Sequence, residues 1–147
     1  MKKIIILFFI VLISTSSISQ EFSLSYDHNA ILVKDLGVSV KFYTEIFKLK
    51  EISHSIPNPL IRWFSLNNNQ QLHIIEGAVE LKQHKPIHLA LAVTNLKAFI
   101  THLKAKNIPF EDWPGTPQTI SDRPDGVRQV YVQDPDGYWI EINDATY

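Results

Sequence analysis

"HNAILVKDLGVSV" (His28–Val40) and "HLALAVTNLKAFI" (His88–Ile100) stand sixty residues apart and carry one pattern. At that constant offset His28 meets His88, Ala30 meets Ala90, Val33 meets Val93 and Leu36 meets Leu96. In each copy an apolar strand (27–33 and 87–93) runs into Asp35 or Asn95. The short side-chain oxygen of either can accept an N–H from a first helical turn. An amphipathic helix follows, with Val40, Tyr43 and Phe47 on one face in the first copy and Phe99, Ile100 and Leu103 in the second. Histidines and caps repeating in phase indicate an internal duplication.

Outward from these segments, each helix is followed by three expected strands. They fall at 50–56, 60–66 and 70–76 in the first copy and at 108–112, 126–133 and 138–143 in the second. Asn67-Asn68-Asn69 and Asp134-Pro135-Asp136-Gly137 supply tight turns. Gly77 to Pro86 reads as a polar linker, and Pro114 to Pro124 as a loop long enough to rim or cover a site. The expected fold class is α+β: two tandem βαβββ modules, 26–77 and 86–144, with sheets that curl and so have a concave side to line.

The flanks and composition narrow the class of protein. Lys2 and Lys3 precede ten unbroken apolar residues, Ile4 to Ile13, and then a small polar stretch to Ser19. This is the layout of a secretory signal peptide over residues 1–20, with cleavage near Ser19 or Gln20. An uncleaved anchor is the alternative, but a membrane-spanning helix needs roughly 20 apolar residues. The expected product, 21–147, is one domain that is periplasmic or secreted, with no stable membrane association after cleavage. A formal net charge of −1 with 20% charged residues gives no footprint for nucleic acid. There is no cysteine, so the exported domain relies on its core, or on a metal, and not on disulfides.

"QLHIIEG" (Gln71–Gly77) holds two residues able to bind a metal, His73 and Glu76. Three apart on a strand, they point to opposite faces. The repeat chooses between them, because "LHI" (Leu72–Ile74) aligns with "IEI" (Ile140–Ile142), making His73 the counterpart of Glu141. Glu76 then reads as a solvated turn residue. His28 and His88 have Ala30, Ala90 and Ala92 beside them on the same face, which leaves room that a packed core would fill. Glu141, flanked by isoleucines, needs compensation for its charge. The expected donor set is therefore His28, His73, His88 and Glu141. Three imidazoles and a carboxylate suit a divalent Zn, Ni, Fe, Mn or Co ion. His54, His84 and His102 have no repeat partner and read as surface residues.

The duplication, "HNAILVKDL" from His28, Phe42-Tyr43, "IHLALAV" around His88 and "DPDGYWIEI" from Asp134 resemble the vicinal oxygen chelate superfamily. That group includes glyoxalase I, fosfomycin-resistance and bleomycin-binding proteins, and extradiol dioxygenases. The resemblance implies α+β modules forming a cupped mixed sheet around a metal site, with a divalent ion held by the first and last strands of each module, carried over onto His28, His73, His88 and Glu141. It also implies a site built within one chain or shared across a homodimer. Glyoxalase I has a glutamate or glutamine in place of His73, which leaves Glu141 here as the only carboxylate and the candidate catalytic base.

The leading functional expectation is a metal-dependent, glyoxalase-like lyase or isomerase acting on a small carbonyl substrate chelated through vicinal oxygens. Export argues against a glutathione adduct, since glutathione is mainly a cytoplasmic thiol. Arg62, Arg123 and Arg128 are candidate anchors for an anionic substrate group, and Trp139 a candidate cavity wall. Trp63 and Trp113 read equally well as core. An extradiol-type dioxygenase using His28, His88 and Glu141 is one alternative. A non-catalytic small-molecule binding or resistance protein is another.

Overall fold

The computed structural model describes residues 22–54, 57–67, 69–77, 80 and 82–146. The chain runs β1 (His28–Val33), α1 (Leu36–Glu45), β2 (Lys50–Ile52), β3 (Ile61–Ser65) and β4 (Gln71–Glu76). It continues with β5 (His88–Ala92), α2 (Leu96–Ala105), β6 (Ser121–Asp122), β7 (Arg128–Gln133) and β8 (Trp139–Asn143). Each half forms its own four-stranded sheet, ordered β1-β4-β3-β2 and β5-β8-β7-β6. First and last strands of each half pair in parallel, and the other neighbours are antiparallel. These are two tandem βαβββ modules of an α+β fold. The expected leader, 1–20, lies outside the described residues. Among those described, no helix is long and apolar enough to cross a membrane.

Both helices start where the capping residues place them. Asp35 accepts the Val38 N–H and Asn95 the Ala98 N–H, each at 2.9 Å. Glu76 corrects the sequence reading. It closes β4, and its Oε2 accepts the Leu36 N–H at 2.9 Å, so it satisfies a free donor at the positive end of α1.

Alternation sorts each sheet into two faces. Ile31, Val33, Phe64, Leu72 and Ile74 from the first sheet and Val130, Val132, Ile140 and Ile142 from the second join one core. Leu36 and Tyr43 of α1 and Leu96, Ile100 and Leu103 of α2 complete it. Burying each large aliphatic chain stabilises by about 1.5–3 kcal/mol, so this side of each sheet decides the packing. The opposite faces, bearing the expected donors, are left for something else.

The "DPDGY" turn is more than a hairpin. Asp134 accepts the backbone N–H groups of Asp136 (3.0 Å) and Tyr138 (2.8 Å), which closes the turn, and Gly137 takes φ +85°. The same carboxylate accepts the buried Tyr43 hydroxyl of α1 at 2.9 Å. Asp136 accepts from Ser39 and from the Lys34 N–H, while the Tyr138 hydroxyl bridges the N–H and C=O of Leu32. The turn of one module is thus bolted to the first strand and helix of the other. Burial pushes the Asp134 carboxyl up, and burial with Asp134 beside it pushes the Tyr43 phenol up.

The second module departs from the expected strand at 108–112. Glu111 alone bridges Tyr131, exchanging both backbone hydrogen bonds at 3.0 and 2.8 Å. Pro114 and Pro117 cannot donate to a ladder, and Asp112 turns the chain away by accepting the N–H groups of Gly115 (2.9 Å) and Thr116 (2.6 Å). The edge resumes only at β6. The long loop is therefore an excursion inserted into an edge strand.

Candidate functional site

Register puts the expected donors on the open faces, as two pairs. In the first sheet Ala30 sits opposite His73, so His28 and His73 share a face, and their rings stack with centroids 4.2 Å apart. In the second sheet Ala90 sits opposite Glu141, and His88 Nε2 lies 3.2 Å from Glu141 Oε2. Among the described residues no group of three or more His, Cys, Asp or Glu side chains is arranged to hold a metal ion. Within one chain, the expected cluster of four is two clusters of two.

The chemistry of each pair still fits a cation. His88 Nδ1 lies 2.9 Å from the Lys85 carbonyl, which can only accept, so Nδ1 carries a proton and Nε2 is the nitrogen turned to Glu141. His28 Nδ1 is likewise tied, to the Asp27 carboxylate at 2.5 Å. The two repeat-equivalent histidines therefore present the same nitrogen, held by an outer acceptor as metal-binding imidazoles commonly are. A neutral Nε2 facing a carboxylate oxygen puts two lone pairs 3.2 Å apart, which needs a proton or an ion between them. His73 differs, since its Nε2 contacts Gln71 Oε1 at 2.9 Å.

The pairs are supported in different ways. Glu141 accepts from the Tyr131 hydroxyl (2.6 Å, Oε2) and the Asn143 amide (2.7 Å, Oε1). With its amide turned, the Gln129 nitrogen donates toward the two oxygens at 3.1 and 3.2 Å, while the single Tyr131 proton stays on Glu141. Burial, then the hydrogen bond and charge of Glu141, raise the Tyr131 phenol well above its ordinary value. His73 is instead sandwiched between His28 and Trp63, whose ring centroid is 4.1 Å away, and His54 stacks on the far side of Trp63 at 5.0 Å. Burial, then the neighbouring His28, lower the His73 pKa. Trp63 and His54 are thus neither plain core nor plain surface. They form a row of four rings, and His54 Nδ1 is buried without a hydrogen-bond partner.

Of the three candidate anchors, one reaches the site. Arg123 Nη1 lies 3.6 Å from Glu141 Oε1, and Arg123 also pairs with Asp125 at 2.6 Å. Arg62 sits opposite Ile74, on the face away from His73, paired with Glu51. Arg128 precedes Gln129 in the alternation, so it too points off the Glu141 face, and it pairs with Asp144. Trp139 shares the His88 face, with the Lys85 ammonium 4.7 Å from its ring. Trp113, 46% exposed, is not core either: it edges His88 and Tyr131 over the second sheet. A cleft of about 630 Å³ there is lined by Trp113, Arg123, Gln129, Tyr131 and Glu141. Another, of about 640 Å³, opens between β1 and β5 beside Ala30, His88, Ala90 and Trp139.

Sequence reasoning missed Gln129, Tyr131, Asn143, Lys85 and Asp27. The first three were readable in principle, since alternation in "RQVYVQ" and "WIEIN" places them on the face opposite the valines and isoleucines. Lys85 and Asp27 lie outside the strands, where no periodicity speaks.

Comparison with known proteins agrees with this architecture. The profile of the glyoxalase/bleomycin resistance protein/dioxygenase superfamily matches residues 25–142. The chain is 33% identical to the uncharacterized protein YwbC of Bacillus subtilis, covering 79% of this chain and 94% of that one. It is 27% identical to a lactoylglutathione lyase of Schizosaccharomyces pombe over 79% of this chain, and spans 46% of that enzyme's length. Among solved structures, a Bacillus anthracis protein assigned to the glyoxalase family superposes with a TM-score of 0.67 at 25% identity, covering 86% and 99% of the two chains. A variant of the fosfomycin resistance protein FosX from Listeria monocytogenes, complexed with Mn(II) and 1S,2S-dihydroxypropylphosphonic acid, superposes with a TM-score of 0.68 at 20% identity, covering 85% and 95%. With its duplicated modules and matching profile, this chain belongs to the glyoxalase/bleomycin resistance protein/dioxygenase superfamily.

Proposed function

We propose that this chain is an exported, divalent-metal-dependent enzyme of the glyoxalase type. Its site is completed when His28 and His73 of one copy meet His88 and Glu141 of another. The observation that carries this reading is the matched pair of histidines. Each has Nδ1 tied to an acceptor, which makes Nε2 the nitrogen available to an ion, and that of His88 lies 3.2 Å from a carboxylate oxygen. Two donors cannot satisfy a first-row ion, which takes four or more ligands, so each half-set lacks its complement.

His28, His73, His88 and Glu141 would hold the ion, which supplies Lewis-acid polarisation of a chelated carbonyl oxygen. Tyr131 and Asn143 each donate to one oxygen of the Glu141 carboxylate, and the turned Gln129 amide faces both, which fixes the plane of the group. Glu141 is the group placed to take a proton from carbon beside that carbonyl and return it. Trp113 and Trp139 narrow the access of water, and Arg123 meets an anionic group of the substrate.

Elemental analysis of the natively expressed protein, then a screen of small carbonyl compounds with that metal, tests the activity. Sedimentation with and without Ni²⁺ or Zn²⁺ tests the assembly: a dimer stabilised by metal is expected, and a monomer indifferent to metal would sink it. Export is checked on the mature N-terminus, where an intact Met1 on a cytoplasmic protein removes it.

A second reading has an observation of its own. His73 Nε2 is engaged by Gln71 and its ring is clamped on both sides, which leaves His28, His88 and Glu141 as a two-histidine, one-carboxylate set suited to ferrous iron and oxygen chemistry. His73→Ala separates the two. Loss of metal comparable to that in His88→Ala supports the four-donor lyase, whereas retained iron supports the dioxygenase.

A further inference from the structure

Lys85 belongs to the linker between modules, yet its side chain is only 14% exposed. Its ammonium donates to Glu111 Oε1 and to the Asp112 carbonyl, both at 2.6 Å, and to the Trp113 carbonyl at 3.1 Å. It also stands over the Tyr131 and Trp139 rings, at 4.9 and 4.7 Å from their centroids. The backbone of the same residue provides the acceptor for His88 Nδ1. One linker residue therefore touches three parts of the second-sheet half-site: the orientation of His88, the start of the Trp113 excursion, and the aromatic floor beside Glu141.

We propose that Lys85 is a positioning residue, a strap that fixes the His88 ring for ion binding and pins the Trp113 loop as the outer wall of the cleft. The first part rests on the metal reading above; the second does not. The physical case is that a backbone carbonyl orients an imidazole only if its own segment is immobile. Around Lys85 the backbone is closed by the Ile87 N–H to the His84 carbonyl, and three charge-assisted bonds from the ammonium tie this segment to the Glu111–Trp113 stretch. Cation–π attraction from two rings holds the head group on the same side. Another cation of this face, Arg123, approaches from the β6–β7 turn, where it pairs with Asp125 and lies near Glu141.

The test exploits the sign of the charges. Lys85→Met removes a positive charge near the half-site, and Glu111→Gln removes a negative one. A purely electrostatic influence would tighten Co²⁺ binding in the first and loosen it in the second. A strap predicts that both loosen it, by about tenfold, the usual cost of losing an outer partner of a ligating histidine. Co²⁺ affinity by chelator competition reads this on the purified full-length protein, with circular dichroism to confirm the fold. Acrylamide quenching in a Trp63→Phe, Trp139→Phe background reads Trp113, which becomes more accessible in both variants. Opposite changes in affinity, or unchanged affinity and unchanged quenching, overturn the strap. His88→Ala is the control for the underlying reading. If it leaves Co²⁺ binding intact, the metal role falls, and the quenching alone then decides whether Lys85 pins the loop.

Discussion

The two open sheet faces occupy equivalent places in the repeat and are built from different physics. At the position next to the first strand, one module has His73 and the other Glu141. At the matching place on the following strand, one has Trp63 and the other Tyr131. The first face holds its donor by ring stacking, with the His28 side chain 42% exposed. The second holds its donor by hydrogen bonds from three side chains, with the Glu141 side chain 7% exposed. A carboxylate taken from water needs directed donors; an imidazole can be held by flat neighbours and one contact. The duplication thus kept donor positions while each module solved its support separately. The Glu141 half is pre-set, and the His28–His73 half is soft.

The contrast is broken most strongly by truncating the paired donors. Glu141→Ala strands the Tyr131 and Asn143 donors in a buried place, and is expected to lower unfolding free energy by about 3 kcal/mol. His73→Ala forfeits stacking and is expected to cost about 1 kcal/mol. Urea denaturation of the two variants checks the ratio, and equal losses would erase the distinction. A smaller effect separates the outer partners: Asp27→Ala and Tyr131→Phe should each weaken Co²⁺ binding about tenfold, read by chelator competition. If only Tyr131→Phe does so, the Asp27 contact does not support His28 in ion binding.

Acid sharpens the same comparison. Burial and then His28 depress the His73 pKa, with His54 adding to the effect and Asp27 opposing it. The folded state therefore resists a proton that the unfolded chain accepts near pH ~6.5. The stability this group contributes is present above that value and is lost as pH falls through the lower, folded-state pKa. Urea midpoints at pH 7.5 and 5.5 should show a drop that shrinks in His73→Gln. An undiminished drop would place the sensitivity elsewhere. Smallest of all, Glu76→Gln should leave Co²⁺ affinity unchanged and cost under about 1 kcal/mol, because a neutral acceptor can still take the Leu36 N–H.

Much of the fold was open to reading because it follows from local periodicity. The His28 and His88 segments, their caps at Asp35 and Asn95, and the alternation that separates His73 from Glu76 all depend on residues within a few positions of one another. Glu111 shows where that stops. Its stretch looks like a strand, but Asp112 and the two prolines turn the chain away, and whether one residue or five pair with β7 depends on the competing edge at Ser121. Arg62 and Arg128 show it again, since charge and neighbourhood in sequence do not reveal which side of a sheet a guanidinium leaves from.

The linear chain, read alone, determined the duplication, the module type and which side chains share a face, because a period of two or of 3.6 is written into consecutive residues. Only the tertiary structure decided that the donors gather as two pairs, that the "DPDGY" turn locks the modules together, and that a linker lysine stands over the second sheet. Those facts depend on distances between segments far apart in sequence. Such distances follow from packing of the whole core, which no local pattern encodes.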